Sequence, residues 1–284
     1  RDGRLPAEAV AVYTDTRVAG EGRLFLALPG EKFDAHDYLA QAVAAGAGGL
    51  CIRRDRAEKL PEPCPVPVLE VDDTLAAYQK IANFHRRRFP ELKLVAVTGS
   101  VGKTSVKEIV RAILTAASSP EAVLYTEGNT NNQIGVPQNL LRLNSRHRYA
   151  VIEMGTNHHG EIEPLSRMAE PLASLVNSIA PCHLEFLGSL EGVAREKSHI
   201  FCGLPESGAA VVLLNSDELA HETALPGLEA VLHHTPSARD AHVCKAEVRS
   251  NCLSGTLAIW AARSKGAGSS FHSAPGNALH WSGR

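Results

Sequence analysis

Residues 92–105 read LKLVAVTGSVGKTS, and this segment sets the architecture that we expect for the rest of the chain. It begins as an aliphatic run without polar alternation, which is typical of a parallel strand buried on both faces. The run ends at a glycine-containing turn, and apolar residues at helical spacing follow from Thr104 to Thr115. The order strand, glycine turn, helix predicts a loop whose backbone N–H groups and helix N-terminus hold phosphate oxygens.

The predicted phosphate loop offers two groups with distinct chemistry. Lys103 can neutralise the outer phosphates of a nucleotide, and Thr104 can ligate Mg²⁺. The usual pattern G-x-x-x-x-G-K-[ST] is incomplete, because Val97 stands where its first glycine would be. A plain loop is the alternative for so short a motif, but the flanking strand and helix favour nucleotide binding. The predicted nucleotide-binding residues are Gly99, Ser100, Val101, Gly102, Lys103, Thr104 and Ser105.

The composition predicts a cytoplasmic protein without a nucleic-acid partner. The chain has 284 residues, 44% of them hydrophobic, and a formal net charge of −2. That length predicts two domains. Lys and Arg are not concentrated in any segment except Arg86–Arg88, which is typical of a solvated helix end. No apolar run is long enough for a membrane span and no signal peptide is visible. We also expect a monomer.

Cysteines and chain ends add two further expectations. The six cysteines are scattered without a C-x-x-C pair, which favours reduced thiols over disulfides or a structural zinc site. The sequence starts at Arg1 without an initiator Met and stops in a polar Gly/Ser-rich segment, so we expect a fragment of a longer protein.

Two α/β domains are predicted, at residues 1–90 and 91–284. In the first we expect strands at 23–28, 49–52 and 66–71 and helices at 37–45 and 74–88. In the second, strands at 92–98, 149–154, 172–178 and 209–215 alternate with helices at 104–116, 135–143, 160–169 and 189–203. Alternation of this kind predicts a doubly wound, mainly parallel sheet. Residues 241–284 are expected to form an appended β-hairpin, over 243–250 and 255–261, and a linker.

Polar residues beside strand ends are the candidates for a binding site. In the first domain, Thr14–Arg17 and Gly30–Asp34 can hold a ribose, a uracil or a diphosphate, although ordinary turns use the same residues. Asn129, Asn131 and Asn132 can donate to phosphate or substrate carbonyls, or serve a turn and a helix cap.

Two further candidates follow strands of the second domain. Glu153 ends the strand at 149–154, so its carboxylate can come near the phosphate loop and ligate Mg²⁺. The alternative is a carboxylate that caps the next helix. His183 follows the strand at 172–178, and we expect it at the same sheet edge rather than in a purely structural role. Taken alone, Lys197 in the helix at 189–203 would be a solvated lysine.

Together these segments resemble the Mur ligase family, and within it the type that adds D-alanyl-D-alanine to a UDP-N-acetylmuramoyl tripeptide. The resemblance covers nearly the whole chain in order, and GNTNNQIGVP and EMG…GEI favour this type over other members. The matching segments are TDTR at 14–17, LFLALPGEKFDAHDY at 24–38, VAVTGSVGKTSVKEIV at 95–110, EGNTNNQIGVPQNLLRL at 127–143, VIEMGTNHHGEI at 151–162 and HLEFLGSLEGVAREKSHIF at 183–201.

The resemblance implies an enzyme that forms an amide bond with ATP and Mg²⁺ through an acyl phosphate. It also implies an N-terminal domain for the UDP substrate and a central P-loop ATPase-like domain, and we expect the third domain of the family to be missing from this sequence. Lys197 would correspond to a lysine that the family carries as a carbamate. The implied metal and catalytic residues are Lys103, Thr104, Glu153, His183 and Lys197, and the implied substrate residues are Thr16, Arg17, Glu31, Lys32, Phe33, Asn131 and Asn132.

Departures from the family pattern lie beside two of these positions. Ser198-His199 follows Lys197 where the family more often has Gly-Glu, and Phe186-Leu187 replaces a commoner Gly-Phe. Three rival interpretations remain open: another Mur ligase, a folylpolyglutamate synthase, and a nucleotide- or UDP-sugar-binding protein without ligase activity.

Overall fold

The computed structural model describes residues 11–18, 20–30, 33–205 and 208–212 and the backbone of 242–250 and 253–261. The chain divides into two compact units, Arg1–Phe84 and His85–Arg284. Within the described residues, no helix is long and apolar enough to cross a membrane.

The first unit contains a four-stranded sheet with strand order β1-β2-β3-β4, in which every neighbouring pair is parallel. Its predicted strands and helices are present, and only the two-residue strand β1 was not predicted, because so short a strand leaves no periodic pattern. Phe25, Leu39 and Leu50 belong to its core. The elements are β1 Val12–Tyr13, β2 Leu24–Leu26, α1 Leu39–Ala44, β3 Gly49–Arg53, β4 Val68–Val71 and α2 Thr74–Arg87, with 3₁₀ turns at Ala35–Tyr38 and Arg54–Lys59.

A buried histidine fastens the segment after β2 to β3. The side chain of His36 is fully buried, and its Nδ1 lies 2.6 Å from Asp34 Oδ1. The backbone N–H of Arg53 donates to His36 Nε2 at 3.0 Å. Because Nε2 is the acceptor, the ring proton sits on Nδ1 and points at the carboxylate.

We expect His36→Leu to lower the free energy of unfolding of the first unit by about 2–4 kcal/mol. Leucine fills the space but leaves the Arg53 N–H and the Asp34 carboxylate without this partner. Urea unfolding would measure the loss. Gln41→Ala, on the exposed side of α1, is the control and should change stability by less than about 0.5 kcal/mol. An equally small change for His36→Leu would contradict the expectation.

The second unit contains a five-stranded sheet of order β6-β7-β5-β8-β9, and all its neighbouring strands are parallel. Its strands are β5 Lys93–Thr98, β6 Val123–Tyr125, β7 Tyr149–Glu153, β8 Ala173–Val176 and β9 Ala209–Val212. Its helices are α3 Lys103–Ala117, α4 Gly135–Leu140, α5 Ile162–Ala169, α6 Leu184–Leu187 and α7 Leu190–Ser198, followed by a 3₁₀ turn at His199–Gly203.

The strand order makes this sheet doubly wound. From β5 the chain crosses to β6 through α3, and later it crosses from β7 to β8, on the other side of β5, through α5. Right-handed crossovers in opposite directions place the two helices on opposite faces. The predicted α/β class and parallel sheet are therefore confirmed. The three-residue edge strand β6 was not predicted, because it is too short to show a period.

Helix α3 packs on the sheet through one narrow face. Val106, Val110 and Leu114 pack against a core cluster of strand valines that includes Val97. Ile109 and Ile113 also fit the helical spacing, but they do not share this face: they are 59% and 62% exposed. Because successive residues turn by about 100° around the helix, Val106, Val110 and Leu114 form one row, and the two isoleucines lie beside that row.

The last described elements are β10 His242–Ser250 and β11 Leu253–Ala261, which pair antiparallel as the predicted hairpin. Their backbone hydrogen bonds form a separate two-stranded sheet rather than extending the parallel one. The end of the strand predicted at 209–215 and the predicted linker lie outside the described residues.

Candidate active site

The carboxyl ends of three strands meet at one edge of the five-stranded sheet. Val97 on β5 pairs with Glu153 on β7, and Thr98 pairs with Val176 on β8. The phosphate loop, Glu153 and the segment after β8 therefore share this edge, as predicted. In open α/β sheets this edge, at the point where the strand order reverses, is where ligands bind.

The phosphate loop is short because β5 continues through the position of the missing glycine. Val97 is fully buried in β5, so the turn begins only at Gly99. A side chain at Gly99 would overlap the amide of Asn177. Gly102 precedes α3 with φ 76°, in the left-handed region that favours glycine. Both glycines are thus required by the local geometry.

The segment after β8 holds the loop in shape, a role that was not predicted from the sequence. Asn177 Nδ2 and Ser178 Oγ donate to the carbonyl of Val101 at 2.6 and 2.8 Å, and the Val101 N–H donates to Ser178 Oγ at 2.9 Å. Ser100 Oγ donates to the carbonyl of Ala180 at 2.9 Å. The only signal for these residues was a polar Asn-Ser pair directly after a buried strand.

The side chains of the loop and of Glu153 come together. Lys103 Nζ donates to the carbonyl of Gly99 at 2.8 Å, which holds the ammonium at the loop. Thr104 Oγ1, in the first turn of α3, donates to Glu153 Oε2 at 3.0 Å. Asn131 Nδ2 donates to the other carboxylate oxygen at 2.8 Å. Glu153 is only 2% exposed and accepts these side-chain bonds, so it does not cap the next helix. Ser105 lies in the same first turn of α3, and its side chain is exposed.

The donor set fits Mg²⁺. A hydroxyl and a carboxylate are hard oxygen ligands, and Mg²⁺ in nucleotide sites typically takes one or two carboxylates together with phosphate oxygens and water. Among the described residues, no group of three His, Cys, Asp or Glu side chains is placed to hold a metal by itself. The residues present therefore suit a cation that binds together with a nucleotide.

His183 lies in the loop after β8, but it is not joined to this cluster. It is exposed and adopts φ 49° immediately before α6. Within the described part of the chain, no hydrogen bond or ion pair connects its ring to Glu153 or Thr104. The left-handed backbone is uncommon for a residue other than glycine or asparagine, and it fixes the direction from which α6 begins.

Lys197 is a buried amine rather than a solvated lysine. It is 1% exposed on α7, and none of the described residues forms a hydrogen bond with its Nζ. Burial lowers the pKa of Lys197 to about 8; Cys182 opposes the shift, nearby Lys103 adds to it, and Glu196 opposes it. The interaction with Lys103 places the amine near the phosphate loop, and burial leaves a fraction of the amine neutral at slightly basic pH.

The two asparagines have different surroundings. The side chain of Asn131 contacts Glu153, and the backbone carbonyl of Asn131 accepts from the N–H of Gly155 at 2.7 Å. Asn132 Oδ1 accepts from the N–H groups of Ile134 and Gly135 at 3.1 and 2.9 Å, which forms the turn that enters α4. This is the turn role that the sequence analysis left open for the cluster.

Of the substrate residues predicted in the first unit, Thr16 and Arg17 lie in the turn after β1, and Phe33 lies between β2 and the 3₁₀ turn at Ala35–Tyr38. Arg17 forms an exposed ion pair with Asp15, with Nη2 2.6 Å from Oδ2, and hydrogen bonds from Arg17 lower the pKa of Asp15 to about 2. Thr16 is half-buried beside this pair, and Phe33 is 72% exposed. Glu31 and Lys32 lie outside the described residues.

Glu196, next to Lys197, ties α7 to the start of α5. Its fully buried carboxylate accepts from the backbone N–H groups of Gly160, Glu161 and Ile162 at 2.7, 3.0 and 2.9 Å. Burial acts to raise the pKa of Glu196, but hydrogen bonds from His199 and from this backbone outweigh it and hold the pKa below its usual value. The carboxylate is therefore ionised at neutral pH.

We expect Glu196→Ala to destabilise the second unit by about 3 kcal/mol, because three N–H groups at the start of α5 lose their acceptor. Glu191→Ala is the matched control on the same helix: its carboxylate is half-exposed and pairs with Arg195. That change should cost less than about 1 kcal/mol. Thermal or urea unfolding compares the two. Equal losses would show that the buried carboxylate has no special weight.

Comparison with known proteins agrees with this geometry. The family model described as the Mur ligase middle domain matches residues 97–269. The UDP-N-acetylmuramoyl-tripeptide--D-alanyl-D-alanine ligase of Escherichia coli (strain K12) is 46% identical over 231 residues, which are 81% of this chain and 49% of that protein. The chain thus spans about half the length of this relative.

Solved structures give the same result. A crystal structure of MurF from Acinetobacter baumannii superposes with a TM-score of 0.69 at 30% identity, over 89% of this chain and 55% of that one. MurF ligase from Thermotoga maritima, in complex with ADP, superposes with a TM-score of 0.65 at 28% identity, over 75% and 48% of the two chains. With more than half of its residues matched by the family model, the chain belongs to the Mur ligase family.

Proposed function

We propose that the protein containing this chain uses ATP to join D-alanyl-D-alanine to a UDP-N-acetylmuramoyl tripeptide during peptidoglycan synthesis. The observation that carries the proposal is the contact between Thr104 on α3 and buried Glu153 on β7, directly beside Lys103. The names of the relatives described above supply the substrates, and the ADP bound to the Thermotoga maritima protein supports a nucleotide at this edge.

The proposed reaction brings two anions together. The tripeptide carboxylate attacks the γ-phosphate of ATP to give an acyl phosphate and ADP, and the amine of D-alanyl-D-alanine then displaces phosphate. Lys103, with the N–H groups of the loop, would stabilise charge on the phosphoryl oxygens. The sequence indicates no side-chain nucleophile, and the reaction requires none.

Thr104 and Glu153 would hold Mg²⁺, with His183 and modified Lys197 as further candidates. Mg²⁺ supplies charge neutralisation of the phosphates and of the developing negative charge. The exposed ring of His183 stays a candidate ligand only if the loop before α6 turns toward the nucleotide.

The surroundings of Lys197 support its proposed carbamate. Only a neutral amine has the lone pair that can add CO₂, and burial has already lowered the pKa of this lysine to about 8. A carbamate would turn a buried cation next to Lys103 into an anion that suits a Mg²⁺ site. Mass analysis under non-denaturing conditions in bicarbonate would detect the mass that CO₂ adds, about 44 Da. Lys80→Ala should keep this adduct, and Lys197→Ala should lose it.

We propose that the first unit binds the UDP end of the substrate through Thr16, Arg17, Glu31, Lys32 and Phe33, and that Asn131 and Asn132 contact substrate or phosphate. The exposed ring of Phe33 supports a stacking role against a base. The Asp15–Arg17 pair keeps a cation at the loop after β1.

Substrate-dependent phosphate release by the complete protein tests the function. We expect release only when ATP, Mg²⁺, the UDP-muramoyl tripeptide and D-alanyl-D-alanine are all present. UDP-muramoyl dipeptide with a diamino acid, and folate with glutamate, are the controls for other ligases of the superfamily. Binding of ATP and UDP-peptide without any coupled release would instead favour a binding protein and contradict the proposal.

A further inference from the structure

A buried lysine on α3 has no place in the proposed chemistry. Lys107 is 2% exposed, although it lies one turn after Lys103. Its Nζ donates to the carbonyl of Thr126 at 2.7 Å and pairs with the partly exposed carboxylate of Glu108 at 2.9 Å. A buried ammonium costs free energy unless it is paired, so such a group calls for an explanation by what it holds.

Thr126, which receives this bond, is a junction between α3, β6 and β7. It is fully buried directly after β6, and its N–H continues the ladder by donating to the carbonyl of Val151 at 3.0 Å. Its carbonyl is bonded to Lys107. Its hydroxyl oxygen instead accepts the N–H of Glu153 at 2.9 Å, on the strand that the Thr126 N–H also joins.

These contacts form a closed path of hydrogen bonds, and the proposed cation site lies at the link between Thr104 and Glu153. From Thr104 on α3, one hydrogen bond reaches the carboxylate of Glu153. From the backbone of Glu153, the path returns through Thr126 to Lys107 on the same helix. The carboxylate and the hydroxyl face each other at 3.0 Å because both ends of this path are anchored on α3. A cation that enters between Thr104 and Glu153 would replace their direct hydrogen bond, and the route through Thr126 and Lys107 would remain as a hydrogen-bonded link between α3 and β7.

We propose that Lys107 and Thr126 are positioning residues that hold Glu153 at the distance from Thr104 at which both can ligate one divalent cation. The proposal rests on the proposed function. Neither residue belongs to the phosphate loop or to the proposed cation ligands, and both act through the contacts given above. Removing a group that orients a metal ligand typically weakens metal binding by about 10- to 100-fold.

Three variants of the complete protein test the proposal. Thr126→Val keeps the side-chain shape but removes the acceptor of the Glu153 N–H, and Thr126→Ser restores a hydroxyl. Lys107→Met keeps the aliphatic stem and removes the ammonium. Mn²⁺ binding to the ADP-bound protein, followed by electron paramagnetic resonance, reports the cation site without turnover. Amide hydrogen exchange of Glu153, measured without metal, reports the hydrogen bond itself.

We expect Thr126→Val and Lys107→Met to weaken Mn²⁺ binding about 10-fold and to raise the Mg²⁺ concentration for half-maximal turnover equally, while the KM for ATP at saturating Mg²⁺ stays within about twofold. Glu153 exchange should be faster in Thr126→Val, and Thr126→Ser should match the unchanged protein in every measurement. Unchanged Mn²⁺ affinity in either variant, in protein that unfolds cooperatively, would overturn the proposal.

Failure of this inference is distinct from failure of the proposed function. If Lys103→Ala remains active, the function itself is wrong, whatever the Thr126 variants do. If Lys103→Ala is inactive but Thr126→Val and Lys107→Met bind Mn²⁺ normally, only the positioning role is wrong. If Thr126→Val does not fold, Lys107→Met and Thr126→Ser decide the question through the same Mn²⁺ measurement.

Discussion

Lys103→Ala is expected to reduce ATP turnover by the complete protein at least about a thousandfold, because a cation that stabilises a transferring phosphoryl group is worth that much or more. The ammonium sits at the loop through its bond to the carbonyl of Gly99, and no carboxylate of the described residues forms an ion pair with it. Substrate-dependent phosphate release measures the effect. The loss should appear mainly in kcat, since the charge that Lys103 meets grows in the transition state.

The control for this prediction is Lys80→Ala on α2, an exposed lysine of the first unit. It removes the same functional group and should leave turnover within about twofold, because surface changes of this kind are nearly neutral. The fold should tolerate Lys103→Ala, since the hydrogen bonds of Lys103 Nζ to described residues go to the carbonyls of Gly99 and Ser100 in the loop. Turnover within a few-fold of the unchanged protein would disprove the assignment of the phosphate loop.

Glu153→Gln is expected to lower turnover by about two to four orders of magnitude without lowering the stability of the metal-free protein. Glu153 is 2% exposed, and among the described residues the side-chain donors to its carboxylate are the neutral groups of Thr104 and Asn131. A buried anion with neutral partners is costly, so a neutral amide of the same shape relieves the fold while it removes the cation ligand.

Two measurements on Glu153→Gln separate a binding role from a structural one. Urea unfolding without metal should give a free energy equal to or above that of the unchanged protein. Phosphate release at saturating Mg²⁺ should remain low. A loss of several kcal/mol in the unfolding free energy, with normal turnover in the remaining folded protein, would mean that Glu153 serves the fold alone.

Much of this site was predictable because parallel sheets follow strict geometry. A buried aliphatic run followed by Gly-Lys-Thr fixed β5, the loop and α3, and the strand ending at Glu153 then had to bring its carboxylate to the same edge. The sheet order was not predictable in full, because β6 has only three residues and shows no period. The exposure of Ile109 was not predictable for a related reason: apolar residues at helical spacing can form two adjacent rows, of which only one faces a sheet.

The supporting residues were not predictable because their roles depend on long-range contacts. Lys107 in a helical segment has the pattern of a solvated lysine, and nothing local indicates that it reaches a carbonyl 19 residues away. Asn177 and Ser178 show only a polar pair after a strand, yet they form the bonds that shape the loop. Glu196 likewise gains its role only when α7 meets the start of α5.

A crystal structure of the complete protein with a non-hydrolysable ATP analogue and Mn²⁺, with anomalous scattering to locate the cation, tests the account most directly. We predict an anomalous peak about 2.0–2.3 Å from Thr104 Oγ1 and from a carboxylate oxygen of Glu153, with the β- and γ-phosphates at the loop and near Lys103. Phosphates at another edge of the sheet, or a cation that does not contact Glu153, would contradict the account.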